Sequence, residues 1–221
     1  MYRRKNLRLT LASATATALM GGLLGLSTGP ALAAPARPAA AADDFDGDGF
    51  RDYAVPDHEG FTVVYGTAKG PGTRKKTITQ KSPGIPGSRG DAGGYADSFG
   101  EELAKGDFNR DGYGDLAVGA PNEKVGKEKS AGGVHVLRGG KKGLTGTGSW
   151  WFTRATAGVP GEAREYTGFA MFVTLRDIDR DGDADLAVGE GWPTSVLLPA
   201  GKGGIGTAGA LELPMSAQFG E

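Results

Sequence analysis

The apolar positions of this chain come in short bursts separated by glycine-rich punctuation, and beyond about residue 42 no window sustains a helical period. Runs rich in Val and Leu occur in "GFTVVYGTAKG" (Gly60–Gly70), "GGVHVLRGG" (Gly132–Gly140) and "TSVLLPAGKGG" (Thr194–Gly204). Each closes in a Gly-rich turn, as a β-strand entering a tight connection does. A further strand is predicted after each, at "KTITQ" (Lys76–Gln80), "SWWFT" (Ser149–Thr153) and "GALELP" (Gly209–Pro214). "LAVG"-type runs precede two of them, and their unbroken apolarity suits inner strands buried on both faces.

This pattern repeats. "DFDGDGFRDYAV" begins at Asp44, "DFNRDGYGDLAV" at Asp107 and "DIDRDGDADLAV" at Asp177, so the unit recurs after 63 and then 70 residues. Upstream of the second and third copies stand "SFGEELAKG" (Ser98–Gly106) and "GFAMFVTLR" (Gly168–Arg176), with Phe99 and Phe169 in matching places. Each unit reads as strand, acidic loop, strand, turn, strand, turn, strand. A series of four-stranded antiparallel meanders is the sequence pattern of a β-propeller, so the fold class expected is all-β, a partial propeller of about three blades.

The acidic loop carries the chemistry. Oxygens at loop positions 1, 3, 5, 7 and 9 converge on one point when the chain curls tightly, and Gly at position 6 permits the curl. In the first loop these donors are Asp44, Asp46, Asp48, the Phe50 carbonyl and Asp52. In the second they are Asp107, Asn109, Asp111, the Tyr113 carbonyl and Asp115, and in the third Asp177, Asp179, Asp181, the Asp183 carbonyl and Asp185. An all-oxygen set without His or Cys selects Ca²⁺, about three ions in all, over zinc, copper or magnesium. An EF-hand needs a bidentate acid at position 12 between helices; Val55, Val118 and Val188 stand there instead.

Charge and composition narrow the setting. The N-terminus opens with Arg3, Arg4, Lys5 and Arg8, then an apolar stretch from about Leu9 to Leu26 and a small-x-small Ala31-Leu32-Ala33. Residues 1–33 are therefore read as a cleaved Sec-type signal peptide and 34–42 as a Pro/Ala-rich linker. The expected location is secreted, extracellular, with no membrane span after cleavage. Without the leader's four basic residues the chain has 21 basic against 26 acidic residues, or −5, which argues against nucleic acid as a partner. Three Ca²⁺ would bring this to about +1. There is no Cys, so an exported chain must be stabilised in another way than by disulfides, by core burial or by bound metal.

Phe99-Gly100, the acidic loop and then Gly119-Ala120-Pro121 resemble the FG-GAP repeat of integrin α-subunit propellers and related secreted bacterial proteins of the VCBS/FG-GAP type. The second unit matches completely. The third has Phe169-Ala170 and Gly189-Glu190-Gly191, and the first has Val55-Pro56-Asp57 in place of the GAP turn. The resemblance implies a seven-bladed ring with calcium in hairpin loops on one face. Residues 43–221 would then be the repeat region, with units at about 43–88, 95–155 and 165–214 and a fourth beginning at 217–221, where Phe219-Gly220-Glu221 matches Phe99-Gly100-Glu101. The first unit lacks an opening strand, because Pro35 and Pro38 flank the place where it would start. Either the chain is part of a longer propeller, the reading favoured here, or copies self-associate through open blade edges.

The function implied is a calcium-binding adhesion or binding scaffold with an extracellular protein or glycan ligand. The alternative is a part of a secreted hydrolase, esterase or phospholipase-D-like, since related repeats accompany such domains. No G-x-S-x-G elbow, metalloprotease helix or phosphate loop is present, so no catalytic residue is assigned and an enzyme is not the expectation. His135 in "VHV" reads as a solvated strand residue and His58 as part of a hairpin. Trp150, Trp151 and Trp192 read as blade-packing aromatics.

Overall fold

The computed structural model describes residues 42–57, 59–87, 97–191 and 194–214. All of them fall in one compact unit, Arg37–Glu221. The leader, most of the Pro/Ala tract, His58, Trp192 and the Phe219-Gly220-Glu221 start of a fourth unit lie outside the described residues.

Eleven strands make three antiparallel sheets among the described residues. The first blade is β1 (Tyr53–Asp57), β2 (Gly60–Thr67) and β3 (Gly70–Thr79), in that order. The second is β4 (Leu103–Gly106), β5 (Asp115–Ala120), β6 (Gly133–Arg138) and β7 (Thr145–Phe152). The third is β8 (Phe172–Arg176), β9 (Asp185–Gly189), β10 (Thr194–Leu198) and β11 (Leu211–Pro214). The sheets are meanders, and the set is an open partial propeller rather than a closed ring. Among the described residues β1 lies at the edge of its sheet, with Val55 half exposed; the place of an opening strand before the first acidic loop lies outside the described residues.

Burial explains the order. All six residues of β5 are buried, because Leu116, Val118 and Ala120 turn to the first blade while Ala117 turns to the third. Two apolar clusters fill the junctions. Phe45, Phe61, Ile78 and Leu137 belong to the one between the first and second blades; Phe108, Phe169, Leu186 and Leu198 belong to the one between the second and third. Phe99 and Phe169 act as equivalent wedges, each buried in the junction preceding its own blade.

The outer strands run longer than the sequence predicts. β3 begins at Gly70 and β7 at Thr145, because register shifts at Val64/Gly66 and at Val136/Arg138 let each hairpin resume pairing past an irregularity. A larger difference concerns His135. It is not solvated: its side chain is wholly buried, 4.1 Å from the Trp151 ring and 5.1 Å from Phe99. The alternation of "VHV" is correct, but the face opposite Val134 and Val136 meets the first blade instead of water.

Candidate metal centres

Each acidic loop folds on its own carboxylates in the same way. The position-1 Asp accepts the position-6 Gly amide: Asp44 from Gly49 at 3.0 Å, Asp107 from Gly112 at 3.2 Å, Asp177 from Gly182 at 3.1 Å. Position 3 accepts the amide of position 5, and position 5 that of position 7, the latter at 2.9 Å in all three loops. The position-6 glycines have φ of 90°, 85° and 95°, the left-handed region the curl requires. Position 4 is left-handed as well, at Gly47, Arg110 and Arg180, so two arginines hold a conformation that costs a side-chain-bearing residue free energy.

The position-9 Asp joins loop to sheet. Asp115 accepts the Phe108 amide at 3.2 Å and the Gly139 amide at 2.8 Å. Asp52 does the same with Phe45 and Gly66, and Asp185 with Ile178 and Ala200. One carboxylate thus closes its own loop and, from the start of the strand that leaves the loop, pins the far end of the strand paired after it. Backbone bonds also tie successive loops together. The Asp44 carbonyl accepts the Gly114 amide at 2.7 Å, and the Asp107 carbonyl accepts that of Ala184, both donors at position 8.

Among the described residues, two loops gather three carboxylates with an oxygen of each within 4.8 Å: Asp44, Asp46 and Asp48 in the first, Asp177, Asp179 and Asp185 in the third. The second loop, with Asn109 at position 3, gathers no such trio. Asp52 and Asp181 stand outside these groups, Asp52 with both oxygens already accepting amides.

The residues present fit a hard cation. Asp107 Oδ1 is buried and has no hydrogen-bond partner, an arrangement that normally costs ~1–3 kcal/mol. Burial pushes the Asp115 carboxyl up to about 8, with Asp111 and Asp107 adding repulsion against the Phe108 and Gly139 amides. Burial likewise raises Asp52 and Asp107, helped by the charges of Asp46 and Asp48 in the first case and of Asp111 in the second. A bound cation would relieve all of these at once.

Two arginines that the sequence reading did not single out complete the site. Arg74 of β3 pairs with Asp46 Oδ2 at 2.5 Å. Arg110, at position 4 of the second loop, reaches the third loop, pairing with Asp181 and with the buried Asp183 side chain. The recurrence of Arg at position 4, in Arg110 and Arg180, was the available signal for the second of these.

Residues 99–137 match the FG-GAP repeat. Integrin alpha-3 of Cricetulus griseus and that of Mus musculus are each 31% identical to this chain over 110 residues, 48% of this chain and 10% of the relative. Integrin alpha pat-2 of Caenorhabditis briggsae is 41% identical over 92 residues, 41% of this chain and 7% of the relative. The alignments thus span a tenth or less of the length of these relatives.

Proposed function

We propose that this FG-GAP, integrin-like repeat protein is a secreted, calcium-stabilised scaffold for binding or adhesion. The observation that carries the reading is the threefold recurrence of one self-bonded oxygen loop, with Asp107 Oδ1 left buried and without a hydrogen bond. The side chains that would hold the ions are Asp44, Asp46, Asp48 and Asp52; Asp107, Asn109, Asp111 and Asp115; Asp177, Asp179, Asp181 and Asp185. The carbonyls of Phe50, Tyr113 and Asp183 complete the three sets. Bound calcium supplies charge neutralisation and a common centre for these oxygens.

The chain's own part is positional. Positions 3 and 5 hold the loop curled, and position 9 transmits that curl to the strand ends. With its loops neutralised, the blade stack is the rigid body on which the connections between strands can present a ligand surface. Among the described residues β1 is an edge strand, and a second copy could add there by strand pairing.

The test is calcium removal from the mature protein. Each site saturated at 100 times its dissociation constant contributes about 2.7 kcal/mol, so EDTA should lower the thermal midpoint by many degrees and calorimetry should count about three ions. An unchanged midpoint would sink the calcium reading. Retention on a glycan or extracellular-protein array, lost on chelation, tests the scaffold. Ester hydrolysis abolished by a single substitution would favour the hydrolase alternative instead.

A further inference from the structure

The Arg74 guanidinium is held in three ways. One Nη pairs with Asp46 Oδ2 at 2.5 Å, the other donates to the Lys142 carbonyl of the second blade at 2.8 Å, and its Cζ lies 3.7 Å from the Tyr65 ring centroid. It therefore joins the first metal loop to the neighbouring blade. Lys76 makes a parallel bond to the Leu144 carbonyl at 2.6 Å, two residues along the same strand face. At the next junction Arg110 crosses in the same sense, from the second loop to Asp181 and Asp183 of the third.

The charge at position 3 makes Arg74 informative. Asp46 there carries one negative charge more than Asn109, its counterpart in the second loop, and Arg74 carries one positive charge beside it. Asp46 with Arg74 is then electrically equivalent to Asn109 alone. Ligand charge count is a main determinant of calcium affinity in oxygen loops, and a full positive charge beside a ligand opposes the incoming ion.

We infer that Arg74 is a built-in counter-ion that sets the calcium affinity of the first loop at the level of the second, while holding the first two blades together when the ion is absent. The inference rests on the calcium reading and adds a residue that a nine-residue loop motif does not contain. Arg74 acts through Asp46 and is a positioning residue, not a ligand.

Calorimetric calcium titration of the full mature chain decides it, with the thermal midpoint in EDTA as the second readout. Arg74→Met should tighten one site of the set by at least about fivefold and lower the midpoint in EDTA. Those two changes have opposite signs, whereas loss of a merely structural contact would weaken both. Arg74→Gln, which keeps a donor for the Lys142 carbonyl, should tighten the same site with a smaller loss of midpoint. Asp46→Asn alone should give the weakest site, and Asp46→Asn with Arg74→Met should return it to within about threefold of the wild type, because the pair then copies Asn109. A site weakened or unmoved by Arg74→Met overturns the inference. Failure of the wild type to take up calcium overturns the calcium reading as well, so the two failures are distinguishable.

Discussion

The second and third blades share a strand order, an acidic loop and the sequence "ADLAV" or "GDLAV" that leaves it, yet their surroundings differ. The second blade is covered on both faces. On the third, only the face toward the second blade is covered by described residues. The position-2 side chain reports the difference directly: Phe108 is fully buried against the third blade, whereas Ile178, in the same place one blade later, is 43% exposed. Phe172 and Leu211 of the third blade are exposed as well. A repeated motif therefore builds the same local loop each time, but the energy that loop reports to the fold depends on who stands next to it.

The largest break in the comparison should come from those two side chains. Phe108→Ala opens a cavity in the junction beside Trp150, whose ring lies 5.2 Å away, and should cost ~3–5 kcal/mol in urea unfolding. Ile178→Ala removes a side chain that water already reaches and should cost under ~1 kcal/mol. Comparable losses would mean that the third blade is covered as the second is.

A smaller contrast is expected at position 9 with calcium present. Asp115→Asn leaves one of two buried amides facing an NH₂ group, at a cost of ~2–3 kcal/mol. Asp185→Asn makes the same change beside the exposed Ile178 and should cost about half as much, because water can reach the orphaned amide. Equal midpoints for the two variants would remove the distinction.

The last contrast concerns pH. His135 and Val196 are equivalent, paired across from Val118 and Val188. Burial lowers the His135 pKa to about 3, opposed only in part by Asp97, and neither ring nitrogen has a hydrogen-bond partner; Glu123 Oε2, at 3.6 Å, is too far for one. The folded chain thus keeps a neutral imidazole that the unfolded chain protonates below about pH 6.5. Stability is full above that pH and declines as pH falls toward 3, by about 2 kcal/mol at pH 5. His135→Val, which installs the third blade's residue, should remove that part of the acid sensitivity and leave the protein at least as stable at pH 8. An unchanged pH profile in denaturant titrations would show that other groups set it.

The legible part of this protein was local. The tight acidic loops and the glycine at position 6 could be read from the chain, because each loop closes within nine residues on hydrogen bonds between near neighbours. The doubly buried "LAV" strand was legible for the same reason, since an unbroken apolar run admits no wet face. His135 was misread because alternation specifies which side a residue takes, not whether that side meets water or another blade.

The partners of the arginines were decided by tertiary structure. Arg74 meets Asp46 across 28 residues and Arg110 meets Asp181 across 71, so their roles depend on register shifts and blade packing that no loop motif encodes. By itself, then, the sequence determined the all-oxygen side chains of its acidic loops, the strand pattern and the repeat. Only the packed sheets decided which identical motifs are buried, which are exposed, and where a counter-charge lands, because burial and pairing are properties of neighbours distant in the chain.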